Sequence, residues 1–175
     1  SKDLLISLVK NAANISSLYW FRDIVNEECS ELDIRGVAHR GFVACVNDFK
    51  SYFNANIDLL DYDKAMDLFN SDWPIYTRTN DSCPTQYYSD VTVQNSMVSN
   101  GCIVEGDIVN SVIGRGVVIK KGAVIKNSII LPGAIIGEDV HIENVVVDKK
   151  ARIVRKKELI GHPDQPLYVK RNDKI

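Results

Sequence analysis

From Val98 to Ile153 a branched aliphatic side chain returns every five or six residues, in the order Val98, Ile103, Ile108, Ile113, Ile119, Ile125, Ile130, Ile136, Ile142, Val147 and Ile153. Two residues before each rung stands a small or compact side chain: Ser96, Gly101, Gly106, Ser111, Val117, Ala123, Ser128, Ala134, Val140, Val145 and Ala151. Helices repeat at about 3.6 residues and strands alternate at about 2, so neither a helix nor a hairpin meander produces this period. Short strands that each bury one aliphatic and one small residue before turning a corner do produce it. Three such strands close a coil, and stacked coils share one core. Asn-x-x-(Ile/Val) recurs at Asn95, Asn110, Asn127 and Asn144, at spacings of 15, 17 and 17 residues, which agrees with three faces per coil. A sandwich would instead show alternating strands with turn signals every ~8 to 12 residues.

The pattern is similar to the hexapeptide repeat of left-handed parallel β-helices. The left hand is what that resemblance implies, as an exception to the right-handed crossover rule. A 17-residue coil places Lys121, Glu138 and Arg155 in one column and Lys126 beside Glu143. With strands about 4.8 Å apart, these columns are expected to form alternating ion pairs, each worth at most about 1 kcal/mol on the surface. Their expected role is register, since the aliphatic ladder stabilises by about 1.5–3 kcal/mol per buried side chain.

Upstream, Leu4, Leu5, Leu8 and Val9 share one face of a short helix that Asp3 is expected to cap, with Asn11 to Ser17 as its exit. A second helix is predicted from Ser17 to Leu32, with Trp20, Phe21, Ile24 and Val25 as its apolar side. Two strand-like runs follow, Ile34 to His39 and Phe42 to Val46, hinged at Gly41. Asp48 reads as the N-cap of a helix reaching Leu60, and Asp63 to Asn70 as a further short helix. The expected organisation is therefore mainly β: residues 1–70 a small α/β piece, 71–90 an extended connector with Pro74 and Pro84, 91–160 the β-helix, and 161–175 a tail with Pro163 and Pro166. The α/β piece is too small to cover its own apolar faces. The β-helix, an upstream domain or another subunit must do so. The chain also opens at Ser1 without an initiator Met, which suggests a piece of a longer protein.

At 175 residues and 45% hydrophobic the chain can bury a core, and a formal net charge of −2 argues against nucleic-acid binding, which needs a basic excess. No apolar run approaches a membrane span of about 18 residues, so a soluble, cytoplasmic protein is expected. Cys29, Cys45, Cys83 and Cys102 are far apart and contain no Cys-x-x-Cys pair, which reads as reduced thiols. His39, His141 and His162 share no metal-ligand spacing, and His141, next to Ile142, is expected to point outward.

Several motifs occur together: Ser51-Tyr52 with Ala55-Asn56 and Asp58-Leu59-Leu60; Trp73-Pro74-Ile75-Tyr76-Thr77; Asn95-Ser96; Gly101-Cys102 with Glu105-Gly106; and Asn110-Ser111-Val112-Ile113. In order and spacing, from Gly41 to about Lys150, they resemble ADP-glucose pyrophosphorylase (glucose-1-phosphate adenylyltransferase). The resemblance implies bacterial glycogen synthesis from ATP and glucose 1-phosphate, a tetramer, and residues 1–70 as the end of a nucleotidyltransferase domain. Catalytic members carry Gly-Tyr-Trp-x-Asp-Val-Gly-Thr, whose Asp helps hold the catalytic metal. The matching run here is Gly41-Phe42-Val43-Ala44-Cys45-Val46-Asn47-Asp48, with Cys45 at the carboxylate position.

A thiol does not replace a hard oxygen ligand for Mg²⁺. The family's Gly-rich nucleotide loop lies upstream of these motifs, and Gly114-Arg115-Gly116 falls in a hexapeptide turn. The chain therefore looks like the C-terminal portion of a regulatory GlgD-type subunit, with no catalytic or metal residue and no cofactor of its own, Mg²⁺ being expected in the catalytic partner. Expected partners are that catalytic subunit, further copies of the chain, and a phosphorylated-sugar effector. The candidate effector or anion site is the basic run Lys149, Lys150, Arg152, Arg155, Lys156 and Lys157. Two alternatives remain open at this point: part of a catalytic subunit with a divergent metal motif, and a trimeric hexapeptide acyltransferase with a His facing a coenzyme A groove.

Overall fold

The computed structural model describes residues 2–13, 29–77, 79 and 81–175. The chain divides into two units, residues 1–40 and residues 41–175.

In the first unit, helix α1 spans Lys2–Ala13, so Asp3 lies in its first turn and does not cap it. Leu4, Leu5 and Val9 are exposed. The helix expected from Ser17 to Leu32 lies largely outside the described residues, and its last four positions form a turn. The strands expected at Ile34 to His39 and Phe42 to Val46 are not formed, and Val37 and Val43 are open to solvent. An extended run becomes a strand only where a neighbour satisfies its N–H and C=O groups, and all the strand pairing described lies further along the chain.

The second unit begins at Gly41, and its first helix is α2 (Phe49–Asp58), held by a capping box in which the Ser51 N–H donates to Asp48 Oδ1 at 2.6 Å and the Asp48 N–H donates to Ser51 Oγ at 2.9 Å. Helix α3 (Tyr62–Leu68) follows, capped by Asp61.

Among the described residues, fifteen short parallel strands then build three five-stranded faces. The first face holds β1 (Gln86–Tyr87), β4 (Ile103–Val104), β7 (Val118–Ile119), β10 (Ile135–Ile136) and β13 (Arg152–Ile153). The second holds β2 (Val93–Gln94), β5 (Asp107–Val109), β8 (Val124–Lys126), β11 (His141–Glu143) and β14 (Glu158–Ile160). The third holds β3 (Met97–Val98), β6 (Val112–Ile113), β9 (Ile129–Ile130), β12 (Val145–Val147) and β15 (Leu167–Val169). This is the three-sided parallel β-helix that the aliphatic period predicts. It extends beyond residues 91–160. Strand β1 lies in the stretch expected as connector and pairs with β4, while β15 lies in the expected tail and pairs with β12.

The core is the aliphatic ladder with its small partners. Ile108, Ile113, Ile119, Ile125, Ile130, Ile136, Ile142, Val147 and Ile153 are all fully buried. One rung differs: Val104 and Cys102 point inward and Ile103 does not. An even division of the 15-residue coil predicts Ile103. The structure divides that coil unevenly, with six residues from Val98 to Val104, four to Ile108 and five to Ile113. A corner is therefore two residues short.

The recurring asparagines form a polar spine along another corner. Asn95, Asn110, Asn127 and Asn144 all have positive φ, which Asn tolerates better than most residues. Asn95 Nδ2 donates to Asn110 Oδ1 at 2.8 Å, Asn110 Nδ2 to Asn127 Oδ1 at 2.9 Å, Asn127 Nδ2 to Asn144 Oδ1, and Asn144 Nδ2 to the Gly161 carbonyl at 3.1 Å. Beside it, the Ser111 N–H donates to Ser96 Oγ, the Ser128 N–H to Ser111 Oγ and the Val145 N–H to Ser128 Oγ, at 3.0, 3.0 and 3.1 Å. Replacing the buried hydroxyl in Ser128→Ala leaves the Val145 N–H unpaired. The expected cost is about 1–3 kcal/mol, read as a lower urea midpoint at unchanged slope; an unmoved midpoint would show that the spine is not stabilising.

The expected ion columns have the right register but different partners. Glu143 pairs in register with Lys126, yet the contact its carboxylate makes is with the His141 imidazole at 3.6 Å. Lys157 Nζ donates to the backbone carbonyl of Glu138, and Lys120 lies 3.6 Å from Glu105. At the corners, side chains fan into solvent, where an exposed pair gains too little to fix long side chains.

Candidate functional site

The third face is covered from outside by α2. Phe53 is 3% exposed and packs on Ile129 and Val146, with Tyr52, Ile57, Val112 and Leu131 around it. A five-residue lengthening of the last coil, seen where Val145 pairs with Leu167 at a 22-residue offset, carries the contacts that hold the start of α2. Lys50 Nζ donates to Asp164 Oδ1 at 2.7 Å, and the Phe49 and Tyr168 rings meet edge-on at 5.7 Å. Tyr168 in turn donates its hydroxyl to Asp148 Oδ2 at 2.6 Å, which holds the Asp148 carboxyl below its ordinary range, helped by the Lys149 N–H.

Just before α2 lies Gly41 to Asp48, the run in which the resemblance implies a metal carboxylate. Cys45 is exposed, and its Sγ donates to Asn47 Oδ1 at 3.3 Å. Asp48 is committed to the helix cap, and the Ser51 N–H holds its carboxyl below the ordinary range. A thiol in this position and a carboxylate already accepting cap hydrogen bonds do not fit a hard divalent cation.

The basic run expected as an anion site is divided by the fold. Lys149 and Lys150 occupy the corner between β12 and β13, Arg152 projects from β13, and Arg155, Lys156 and Lys157 occupy the next corner. The first corner gains cations that linear reading passes over. The Gly133 N–H donates to the Arg115 carbonyl, the Lys150 N–H to the Pro132 carbonyl, and the Asn172 N–H to the Lys149 carbonyl. Arg115, Pro132, Lys149 and Arg171 therefore stack on successive coils, while Lys174 is bridged to Arg152 on the adjoining face. The signal for Arg171 and Lys174 is a 22-residue offset in the last coil, which a constant 17-residue period conceals. Gly114-Arg115-Gly116 forms part of this column as a turn, with Gly116 at positive φ.

His141 sits half-buried on the outer surface of β11, as its position beside Ile142 predicts. His162 is exposed and its Nδ1 accepts the Asp164 N–H at 3.1 Å. Cys29, Cys45 and Cys83 are exposed and Cys102 is buried. No helix among the described residues is long and apolar enough to cross a membrane.

A family model described as GlmU-like, C-terminal hexapeptide matches residues 84–166. Together with the three-sided coil, it defines the class: a hexapeptide-repeat β-helix protein. The chain is 34% identical over 150 residues to glycogen biosynthesis protein GlgD of Bacillus subtilis, covering 86% of this chain and 44% of that protein. It is 37% identical over 108 residues to glucose-1-phosphate adenylyltransferase of Bacillus thuringiensis (strain Al Hakam) and 36% identical to that of Bacillus mycoides, each match covering 61% of this chain and 28% of the relative. More particularly, then, the chain is similar to part of GlgD and to part of the glucose-1-phosphate adenylyltransferases. It spans less than half the length of these relatives.

Proposed function

We propose that the chain is the C-terminal portion of a regulatory, non-catalytic subunit of glucose-1-phosphate adenylyltransferase, acting in cytoplasmic glycogen synthesis through assembly with a catalytic subunit. The observation that carries this reading is Cys45. It stands at the metal-carboxylate position of a run that shares Gly41 and Val46 with the family motif, and nothing beside it supplies a substitute carboxylate that is not already used as a cap. Mg²⁺ then belongs to the catalytic partner. Apolar side chains left open upstream of the β-helix, such as Trp73 at 78% and Tyr76 at 92% exposure, suit burial against an upstream domain or a neighbouring subunit. The basic corners suit a phosphorylated-sugar effector, because convergent Lys and Arg favour phosphate.

The test is ADP-glucose formation by the full-length protein, alone and reconstituted with a catalytic subunit. Alone it is expected to be inactive, and with the partner it is expected to change the response to a sugar-phosphate activator. Lys149→Ala with Lys150→Ala is expected to raise the activator concentration needed by about tenfold, the scale of one charge-assisted contact. Lys156→Ala with Lys157→Ala tests the other corner. Robust synthesis by the protein alone would establish the catalytic alternative, and an unchanged activator response in both pairs would remove the effector role.

A further inference from the structure

The short corner between β4 and β5 has a consequence outside the core. On the coils below, six residues separate Ile119 from Ile125 and Ile136 from Ile142, whereas four separate Val104 from Ile108. The corner column therefore lacks two residues at one level, and a half-open notch of about 530 Å³ occupies the gap. This is within the ~300–1,000 Å³ range of small-molecule clefts. Tyr88, Asp90, Glu105, Asp107, Lys121 and Glu138 line it. Gly106 lets the shortened corner lie against the next coil, since a Cβ there would meet the Ala123 carbonyl oxygen at 2.4 Å.

The lining selects a ligand class. Four carboxylates against Lys121 in the lining and Lys120 beside Glu105 leave the notch net negative, so a sugar phosphate does not fit. A shared metal ion does not fit either. Among the described residues no three acidic, His or Cys side chains are grouped to hold one. Glu105 and Asp107 each make one contact, with Lys120 at 3.6 Å and the Thr92 N–H at 2.7 Å. Carboxylates retain spare acceptor positions after one such contact, which suits hydroxyl donors. The half-exposed Tyr88 adds an aromatic surface with a polar tip. Acceptors in excess, a donor at Lys121 and an aromatic wall together match a neutral sugar.

We propose that the notch binds a neutral oligosaccharide, an α-glucan segment of a few glucose units, and so tethers the subunit to the polymer. The choice of α-glucan rests on the glycogen-synthesis reading; the preference for a neutral polyol rests on the notch itself.

The full-length protein is titrated with maltotriose and, in parallel, with cellotriose, and its migration is followed in native gels containing glycogen. Saturable maltotriose binding and retardation by glycogen are expected. Tyr88→Ala and Glu138→Gln are expected to weaken binding by about tenfold each with unchanged melting curves. Inserting Gly-Ser between Glu105 and Gly106 restores the full corner, fills the notch without removing a lining side chain, and is expected to abolish binding. The proposal is overturned by wild-type protein that binds no maltotriose, by preference for cellotriose, or by binding that survives both the substitutions and the insertion. It is equally overturned if these variants disturb subunit assembly and leave glucan binding intact. The ADP-glucose assay is independent of all these outcomes, so failure of the regulatory reading is distinguishable from failure of the notch.

Discussion

Ile136→Asp is expected to abolish the cooperative melting of the β-helix. Ile136 is fully buried on β10, at the level where Ile119 above and Ile153 below are its register partners. Truncating such a side chain alone costs about 2–5 kcal/mol. The carboxylate adds a charge that has no partner in an aliphatic interior, a penalty of several kcal/mol unless it takes up a proton. Against a typical total stability of about 5–15 kcal/mol, the two effects together remove most or all of the folded population. Ile135→Asp is the matched control, because Ile135 pairs with Val118 and Arg152 on the outward side of the same strand. Thermal melts followed by circular dichroism separate the two. A soluble Ile136→Asp protein with the wild-type melting curve would mean that the ladder does not face a shared core.

Truncation after Ile160 is expected to have the next largest effect, although it removes what linear reading treats as a loose tail. The deleted residues include β15, whose Val169 covers Val147, and Ile175, which packs against the core while its carbonyl accepts the Val154 and Arg155 N–H groups at 2.7 and 3.0 Å. Losing this layer opens the last rungs to water and removes the Asp164 and Tyr168 contacts to α2. Two aliphatic side chains at about 1.5–3 kcal/mol each, with the newly exposed rungs added, predict a fall in melting temperature of more than about 10 °C for a domain of this size. They also predict earlier protease cleavage within α2. A truncated protein that melts and resists protease like the intact chain would return residues 161–175 to the role of a disposable extension.

The aliphatic ladder was legible because a coil with three short sides demands one inward aliphatic per side, and no other regular structure has that period. The asparagine spacing was legible for a related reason, since each coil turns the same corner in a left-handed backbone conformation. The Asp48 cap was equally readable, because a capping box is local.

Ile103 was misplaced because two adjacent aliphatics, Ile103 and Val104, satisfy the period equally well. Only the distribution of a 15-residue coil over three corners decides which one is buried. The strands expected before α2 failed because a strand is completed by a neighbour, and pattern does not show whether one exists. The basic run was read as one site because its members are adjacent in sequence. Strand β13 separates the two corners they occupy, while coil stacking brings Arg171 and Arg115 into the Lys149 column.

By itself, then, the sequence determined the period, most of the inward side chains and the Asp48 cap, all of which depend on residues a few positions apart. The tertiary structure decided where coils lengthen or shorten, and with that the notch at Gly106, the anchoring of α2 and the regrouping of the cations. These depend on the alignment of residues 15 to 22 positions apart, which follows from backbone hydrogen bonding between coils and not from any local preference.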